Sequence, residues 1–464
     1  MRASRGLKWR MVVAAVAVGH EGRAFAADPE VAPVAPVRSA ALDGAQTMRV
    51  EDCVAKALEN NVDVKSANAE IDVTTGERSE VSGQFLPKLH VDAYAQEWTE
   101  PYVLPFALTP GQAPVPFPIH DQFQWNATVS LTQPITGLFA IYEQYKVRDL
   151  GVDVAAIKRE AQRRDSAYEV VEHYYRLLQA ERLTEVAAAS VAELQQQLKQ
   201  SNSFHDNGVV SRDDVLRAEL AVANAQQRLI QTRARVTITR SNLAVAMGMP
   251  PDSAIEAMPR ASDALPPIEK LSLQEVQRSA EAGRVELREI DKRIEQAHRS
   301  TKVAWLKLAP QVNVTGAYIH NEGSLFSQTN SAYVGAFASW DAWDWGTTAG
   351  GISAAKGREQ QALLARLKLA DHVRLDVEQA YVGLETAAEA MTVARASVAA
   401  AEENFRLVKT RYAASAATSF DVVDAESLLT QARGQLQTGL YDYMIAHAAL
   451  RRAVGVAPEA LARE

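Results

Sequence analysis

The sequence predicts an α+β membrane protein, built as a tandem repeat of long coiled-coil helices with four membrane-crossing strands. Three observations predict this fold class. Two long stretches of the chain lack proline, four segments alternate in polarity over the length of a transmembrane strand, and a pattern of about 200 residues occurs twice. The 464-residue chain has 47% hydrophobic and 23% charged residues, which is too apolar for a disordered protein.

The N-terminus has the three parts of a secretory signal peptide. Residues 1–10 carry four basic side chains, residues 11–18 are apolar, and a small-residue A-x-A cleavage site ends at Ala26. We therefore expect residues 1–26 to be removed and residues 27–48 to form a flexible N-terminal segment. An ordinary amphipathic helix is the alternative, because polar side chains interrupt the stretch before the cleavage site.

The composition excludes several classes of function. A formal net charge of -8 argues against a general nucleic-acid binder, which needs a basic patch. The single cysteine, Cys53, excludes an intramolecular disulfide and a CxxC zinc or redox site. The sequence has no nucleotide-binding or hydrolase motif, and its nine histidines are scattered. We therefore expect no enzymatic activity, no cofactor and no bound metal.

The placement of proline predicts two unusually long helices. All 18 prolines lie at or before Pro134, between Pro250 and Pro310, or at Pro458. Because a proline inside a helix costs about 3 kcal/mol, a long stretch without proline is where an uninterrupted helix can form. Residues 146–202 alone would make a rod roughly 85 Å long, since each residue adds 1.5 Å.

The second proline-free stretch shows the seam of a coiled coil. Two rows of mostly apolar residues repeat every seven positions, the second row three residues after the first. This pattern predicts a helix that packs against partner helices, either in a coiled coil or in the core of a bundle. The rows are Leu363, Ala370, Val377, Leu384, Met391, Val398, Phe405 and Tyr412, and Arg366, Val373, Ala380, Ala387, Ala394, Ala401 and Val408.

Matching motifs in the two halves of the chain indicate an internal duplication. A proline precedes the first strand of each half, at Pro87 and Pro310, and similar Asp-Val strings follow much later in each half. We expect the parts of the chain to be a first repeat over 49–249, a Pro-rich linker over 250–272, a second repeat over 273–457 and a tail over 458–464.

Each repeat contains a predicted pair of strands. Apolar and polar residues alternate without a break over 123–132, which predicts a strand with one apolar and one polar face. Its partner is expected at 88–98, and the second pair at 311–320 and 331–340. Strands of about ten residues are long enough to cross a bilayer in a tilted barrel, and six of the seven tryptophans lie near them. The Pro-rich residues 101–118 are expected to form an irregular loop.

Four strands are too few to close a barrel, since the smallest barrels have about eight. The chain must therefore oligomerise if these strands span a membrane. A dimer would supply eight strands and a trimer twelve. In either case the apolar side chains of each strand are expected to face lipid, and their polar neighbours the lumen.

The order of these elements resembles the TolC family of bacterial outer-membrane efflux and type I secretion channels. In each half a helix leads into two strands, a very long helix, a tip and a returning helix, and the resemblance covers roughly residues 49–457. It implies a homotrimer with a twelve-stranded barrel in the outer membrane and an α-barrel through the periplasm. It also implies an outer-membrane channel of a tripartite efflux or type I secretion system, which docks to a periplasmic adaptor and an inner-membrane transporter.

The resemblance assigns roles to the two tips. Residues 412–425 are similar to a tip in which two aspartates line the periplasmic constriction of the tunnel, here Asp421 and Asp424. Tyr412 resembles a tyrosine that keeps the tip closed by bonding an aspartate of the neighbouring coiled coil, here Asp214. The expected closing contacts are Tyr412, Asp214 and Asp213, and the expected adaptor-docking residues are Gly208, Val209, Val210, Ser415, Ala416 and Ala417.

Two departures from the family weaken the expected closure of the tip. The family commonly has glycine at the position of Ser415 and a network arginine at the position of Ala417. The tip of this chain is therefore expected to be held less firmly, or by other contacts.

Two alternatives remain open at the level of sequence. Ser211 and Ser419 are typical of helix N-caps, and the aspartates that follow them favour the helix dipole, which does not explain Asp424. A periplasmic coiled-coil scaffold or adaptor without a pore would use the same heptads, but it has no need of four barrel-length strands.

Overall fold

The computed structural model of the chain describes residues 46–107, 109, 111, 113–258, 272–324 and 326–462. The signal peptide predicted for 1–26 lies outside these residues, as do most of the predicted segment 27–48 and most of the predicted linker. Among the helices of the described ranges, none is long and apolar enough to cross a membrane.

The two halves of the chain share one order of elements, except that the first half has an extra strand and the second half ends with an extra short helix. The first half consists of β1 (Gln46–Met48), α1 (Val50–Asn60), α2 (Val62–Gly83), β2 (Lys88–Glu97), β3 (Tyr102–Phe106), β4 (Val115–Pro134), α3 (Gly137–Asp206) and α4 (Arg212–Ala246). The second consists of β5 (Ile255–Ala257), α5 (Leu273–Gly283), α6 (Val285–Leu306), β6 (Gln311–Ser324), β7 (Asn330–Ser339), α7 (Thr347–Ala413), α8 (Ser419–Val454) and the short α9 (Pro458–Leu461). The long helices α3 and α7 have 70 and 67 residues, which confirms both the tandem repeat and the long helices.

The heptad seam of α7 is buried along the half of the helix nearest the tip. Val377, Leu384, Met391 and Tyr412 are buried, whereas Leu363 at the start of the predicted row is exposed. The reason is the length of the partner, because α8 has 36 residues and runs back from the tip along only part of α7. Nearer the sheet α7 packs against α6 instead, and Arg366 of the second row bonds to Asp291 there.

The four long strands form one antiparallel sheet in the order β2-β4-β6-β7, so β2 and β7 are its free edges. The pairing places the alternating apolar residues of β4 and most apolar residues of β2 and β6 on one face. The apolar residues of β7 are divided, with Val334 and Ala336 on that face and Tyr333 and Phe337 on the other. Val129 of β4 lies opposite Val91 and Tyr318, while its neighbour Thr128 lies opposite Asp92 and Ile319. The apolar face carries Leu89, Val91, Trp125, Ala127, Val129, Leu131, Val314, Tyr318, Val334 and Ala336.

The other face, called the polar face here, is mostly polar on β2 and β4 and is crossed by side-chain hydrogen bonds. Gln96 donates to Gln124 at 2.8 Å, Asn126 donates to Asn321, and the hydroxyls of Thr132 and Thr315 lie 3.1 Å apart. The first bond joins β2 to β4 and the other two join β4 to β6, so side-chain hydrogen bonds link these three strands on the polar face.

The expectation of an irregular loop over 101–118 is wrong for half of its length, residues 102–106 and 115–118. β3 pairs with the first residues of β4, extending this hairpin beyond the rest of the sheet, and Pro105 lies opposite Pro116. Proline is tolerated here because β6 pairs with β4 only as far as His120. Beyond that point the two-stranded ribbon has open edges, where a missing N–H interrupts no ladder.

A short parallel pairing of β1 with β5 was not predicted, since it joins the segment expected to be flexible to the expected linker. The pairing is held by Tyr174 of α3, whose hydroxyl donates to the carbonyl of Met258 at 2.7 Å and lies 3.2 Å from the carbonyl of Met48. It covers the main core, in which helix α1 packs on α3. Cys53 is buried in this core, and burial raises the pKa of its thiol to about 12.

The helices lie side by side in an order that matches the sheet. Near the sheet the neighbours run α2-α3-α6-α7, and towards the tips they run α4-α3-α8-α7. Elements of the first repeat therefore form one free edge of the chain, and elements of the second repeat form the other.

Candidate functional site: the two helical tips

The two tips have the same backbone conformation. At the end of α3 the amide of Val209 donates to the carbonyl of Phe204, and at the end of α7 the amide of Ala416 donates to that of Arg411, both at 2.8 Å. This pattern, with a left-handed residue between the helix and the donor, is a Schellman motif. The left-handed residues are Gly208, with φ 72°, and Ser415, with φ 58°.

Each returning helix begins with a capping box. Ser211 and Asp214 bond reciprocally at the start of α4, and Thr418 and Asp421 do the same at the start of α8. The prediction that Ser419 caps the second helix was wrong, because Ser419 is the first helical residue and is fully buried. Its Oγ has no hydrogen-bond partner within the described ranges.

The two aspartates predicted to line the constriction have different environments. The Asp421 carboxylate accepts from the Thr418 amide at 2.8 Å and from the Thr418 hydroxyl at 2.7 Å, and these bonds hold the pKa of Asp421 below its usual range. Asp424 lies one turn later on the same side of α8 and is exposed. Asp424 makes no hydrogen bond or ion pair with any described residue. The helix-start interpretation thus fits Asp421 and leaves Asp424 unexplained.

The closing contact of Tyr412 has a different partner from the one expected. Its hydroxyl lies 3.0 Å from Oγ of Ser201 on α3, and both side chains are buried. Asp214 bonds instead to Ser211 within its own helix start, and Asp213 pairs with Arg217 at 2.9 Å. The resemblance to the family indicated a contact of Tyr412 with another helix near the tip, but it could not show which side chain faces the tyrosine.

A second contact near the tip, which was not predicted from the sequence, joins the same two helices. Lys409 of α7 forms an ion pair with Glu193 of α3, two turns before Ser201. Phe204 of α3 stacks at a tilt on Tyr412, with 5.4 Å between the ring centroids. These contacts join the first coiled coil to the second. Heptad spacing predicted the buried row of α7. No pattern in the sequence predicted that Glu193, Ser201 and Phe204 of α3 would contact that helix.

The six residues expected to dock an adaptor lie in the two turns. Gly208, Val209, Ser415 and Ala416 are exposed, and Val210 and Ala417 are half-buried. The Val210 carbonyl is held by the ring of His205, whose Nδ1 lies 3.1 Å away. The turns are therefore small, ordered surfaces that project beyond the helices.

Solved structures with the same fold are outer-membrane channels. The Campylobacter jejuni CmeC outer membrane channel superimposes with a TM-score of 0.74 at 15% identity, covering 88% of this chain and 85% of that chain. The open state of the Neisseria gonorrhoeae MtrE outer membrane channel gives 0.69 at 19% identity, covering 88% and 89%. The outer membrane protein VceC of Vibrio cholerae gives 0.70 at 16% identity, covering 88% and 96%. No curated protein matches the sequence.

The family comparison covers most of the chain and follows its internal repeat. The Outer membrane efflux protein family matches residues 53–249 and 276–456, which are the two halves described above. Its members are outer-membrane channels with a periplasmic tunnel, so the alternative of a scaffold without a pore is wrong. It is a family of transport proteins rather than of enzymes. The chain belongs to the Outer membrane efflux protein family.

Proposed function

We propose that this efflux channel works as a head-to-tail homotrimer whose twelve strands close one barrel. The observation that carries the proposal is the sheet order, because β2 and β7 are both unpaired edges with exposed strands. A strand edge in a bilayer leaves backbone groups without partners, so β7 of one copy must pair with β2 of the next. The apolar face then meets lipid, and the polar face lines the lumen.

The edge helices support the same assembly. Five exposed apolar residues of α4 fall within one sector of about 80° at 100° per residue, on the side opposite its buried residues. Exposed apolar residues of α7 form a similar stripe. The stripes consist of Leu216, Leu220, Ile230, Ile238 and Val245 on α4, and of Leu364, Leu375, Val382, Val393 and Leu407 on α7. Packing α7 of one copy against α4 of the next buries both stripes and closes the ring.

At the tips, three copies bring Asp421 and Asp424 close to the common axis as six carboxylates. A ring of carboxylates attracts cations and resists anions, so we assign these residues to the periplasmic constriction. The exposed turns of Gly208 and Ser415 are the surfaces offered to a periplasmic adaptor, which links the channel to an inner-membrane transporter. The exposed apolar Val209 and small Ala416 suit a helical hairpin docked end-on.

The mass of the detergent-solubilised protein tests the assembly. We expect native mass spectrometry to show three chains per particle, with β signal in circular dichroism and cation-selective conductance in planar bilayers. A monodisperse monomer with intact β structure would contradict the trimer. A trimer with anion selectivity would leave the assembly standing and reject the aspartate constriction alone.

A further inference from the structure

A groove between α6 and α7 lies at the end of both helices that is nearest the sheet. Its volume is about 480 Å³, and its walls include Lys302 and Trp305 of α6 and Lys356 and Leu363 of α7. α6 ends four residues before β6 begins, so the groove is next to the helical end of the sheet. The apolar face of the sheet begins one residue further on, at Val312.

The groove has an excess of positive charge. The one carboxylate in its wall, Glu359, is already engaged, since its two oxygens lie 2.9 Å from Nδ1 of His298 and 2.8 Å from Oγ1 of Thr301. Lys302 and Lys356 form no ion pair with any described residue, and both are exposed. The ammonium of Lys356 lies 5.1 Å from the centre of the Trp305 ring. Two lysines that form no ion pair with a described residue, one of them over the indole ring, therefore line the opening.

The surroundings match a membrane interface. Trp340, Trp343 and Trp345 follow the last strand and are exposed, Trp345 to 89%. With Lys307 they line a second cavity of about 360 Å³ at the same end of the sheet. Tryptophan and lysine concentrate where a bilayer meets water, because indole rings favour the headgroup layer and lysine pairs with phosphate.

A single copy of the chain contains the whole groove, because its two walls, α6 and α7, are neighbours within one chain. In the proposed trimer α7 also meets the next copy, through the exposed apolar stripe that begins at Leu364. We propose that the groove binds the phosphate headgroup of an anionic phospholipid from the leaflet nearest the helices. Lys302 and Lys356 bind the phosphate, and Trp305 packs against the glycerol and the first acyl carbons.

The test uses the full-length channel, delipidated in detergent and titrated with a short-chain phosphatidylglycerol under native mass spectrometry. We expect bound lipid on the wild type, and about fivefold weaker binding for each of Lys302→Gln and Lys356→Gln. Lys368→Gln is the matched control, because Lys368 is an exposed lysine of α7 about 18 Å nearer the tip. Its binding should equal that of the wild type.

Three outcomes would overturn the proposal. The first is equal lipid binding by the wild type and the double variant Lys302→Gln/Lys356→Gln. The second is binding of a zwitterionic phosphatidylcholine as strong as that of phosphatidylglycerol. That result would mean that the tryptophans contact membrane lipids in general, without selecting an anionic headgroup. The third is complete displacement of the bound lipid by inorganic phosphate alone. That result would make the groove a site for a free anion. The same spectra report the number of chains, so failure of the trimer would be seen separately.

Discussion

The hydroxyl of Tyr412 and Oγ of Ser201 share a hydrogen bond of 3.0 Å between α7 and α3, in a place where both residues are almost completely buried. The pair joins the second coiled coil to the first, close to the tips. Opening of the tunnel by separation of the coiled coils would break this bond and expose two hydroxyls. We therefore predict that this contact favours the closed tip.

We expect Ser201→Ala and Tyr412→Phe each to increase the open-state conductance, measured in planar bilayers. Each change leaves the other hydroxyl buried without a partner, at a cost of about 1–3 kcal/mol. Both changes together should cost no more than the larger single change, because they remove the same bond. Tyr142→Phe is the control, since Tyr142 is an exposed tyrosine near the start of α3. Additive effects of the two changes would show that the hydroxyls act independently.

Substitution of the two aspartates of α8 should affect stability differently, because only Asp421 caps the helix start. Asp421→Asn should lower the melting temperature by weakening the capping box, whereas Asp424→Asn should leave it unchanged, since Asp424 has no partner among the described residues. Thr418→Ala should cost about 1 kcal/mol. In planar bilayers the variant with both asparagines should lose block by multivalent cations from the periplasmic side. Full block in that variant would remove both residues from the constriction.

The pH dependence of stability follows from the same bonds. Because the folded pKa of Asp421 is lowered from 3.8, its contribution is complete at neutral pH and is lost as the pH falls through that lowered value. The difference in melting temperature between the wild type and Asp421→Asn should therefore be constant near pH 7 and shrink in strong acid. A difference that grew on acidification would have the wrong sign for a capping carboxylate.

Substitution of the left-handed residues at the two tips, Gly208 by alanine and Ser415 by glycine, should change the free energy of unfolding differently. Gly208→Ala should lower the free energy of unfolding by about 1 kcal/mol or more, because a Cβ strains a residue with positive φ. Ser415→Gly should leave stability unchanged or raise it slightly, since relief of that strain offsets the greater freedom of the unfolded chain. Gly76→Ala is the control, because Gly76 lies in a helix with open space around it. This substitution should raise the free energy of unfolding. Chemical denaturation of the variants measures all three effects.

The sequence predicted those parts of the fold that depend on local periodicity. Alternation over 123–132 identified the apolar face of β4, and the seven-residue rows identified the buried side of α7. It failed where a distant segment decides the outcome. Leu363 fits the heptad but is exposed, because α8 is too short to reach it. Within the chain the hydroxyl of Tyr412 contacts Ser201 of α3, and no sequence pattern indicated this contact. The high proline content of 101–118 led to the prediction of an irregular loop, but β3 pairs with β4 there. A two-stranded ribbon with open edges tolerates residues that lack an N–H donor.

The last prediction tests which face of the sheet meets lipid, using two neighbouring positions of β4. Val129 lies between Val91 and Tyr318 on the apolar face, so Val129→Arg should cost about 2–4 kcal/mol near the middle of the bilayer. Thr128 lies on the polar face opposite Asp92, where an arginine meets water and a carboxylate, so Thr128→Arg should be tolerated. Urea titration of the channel folded into vesicles measures both. Equal losses at the two positions would show that the sheet does not separate lipid from water, and the proposed barrel would fail with that result.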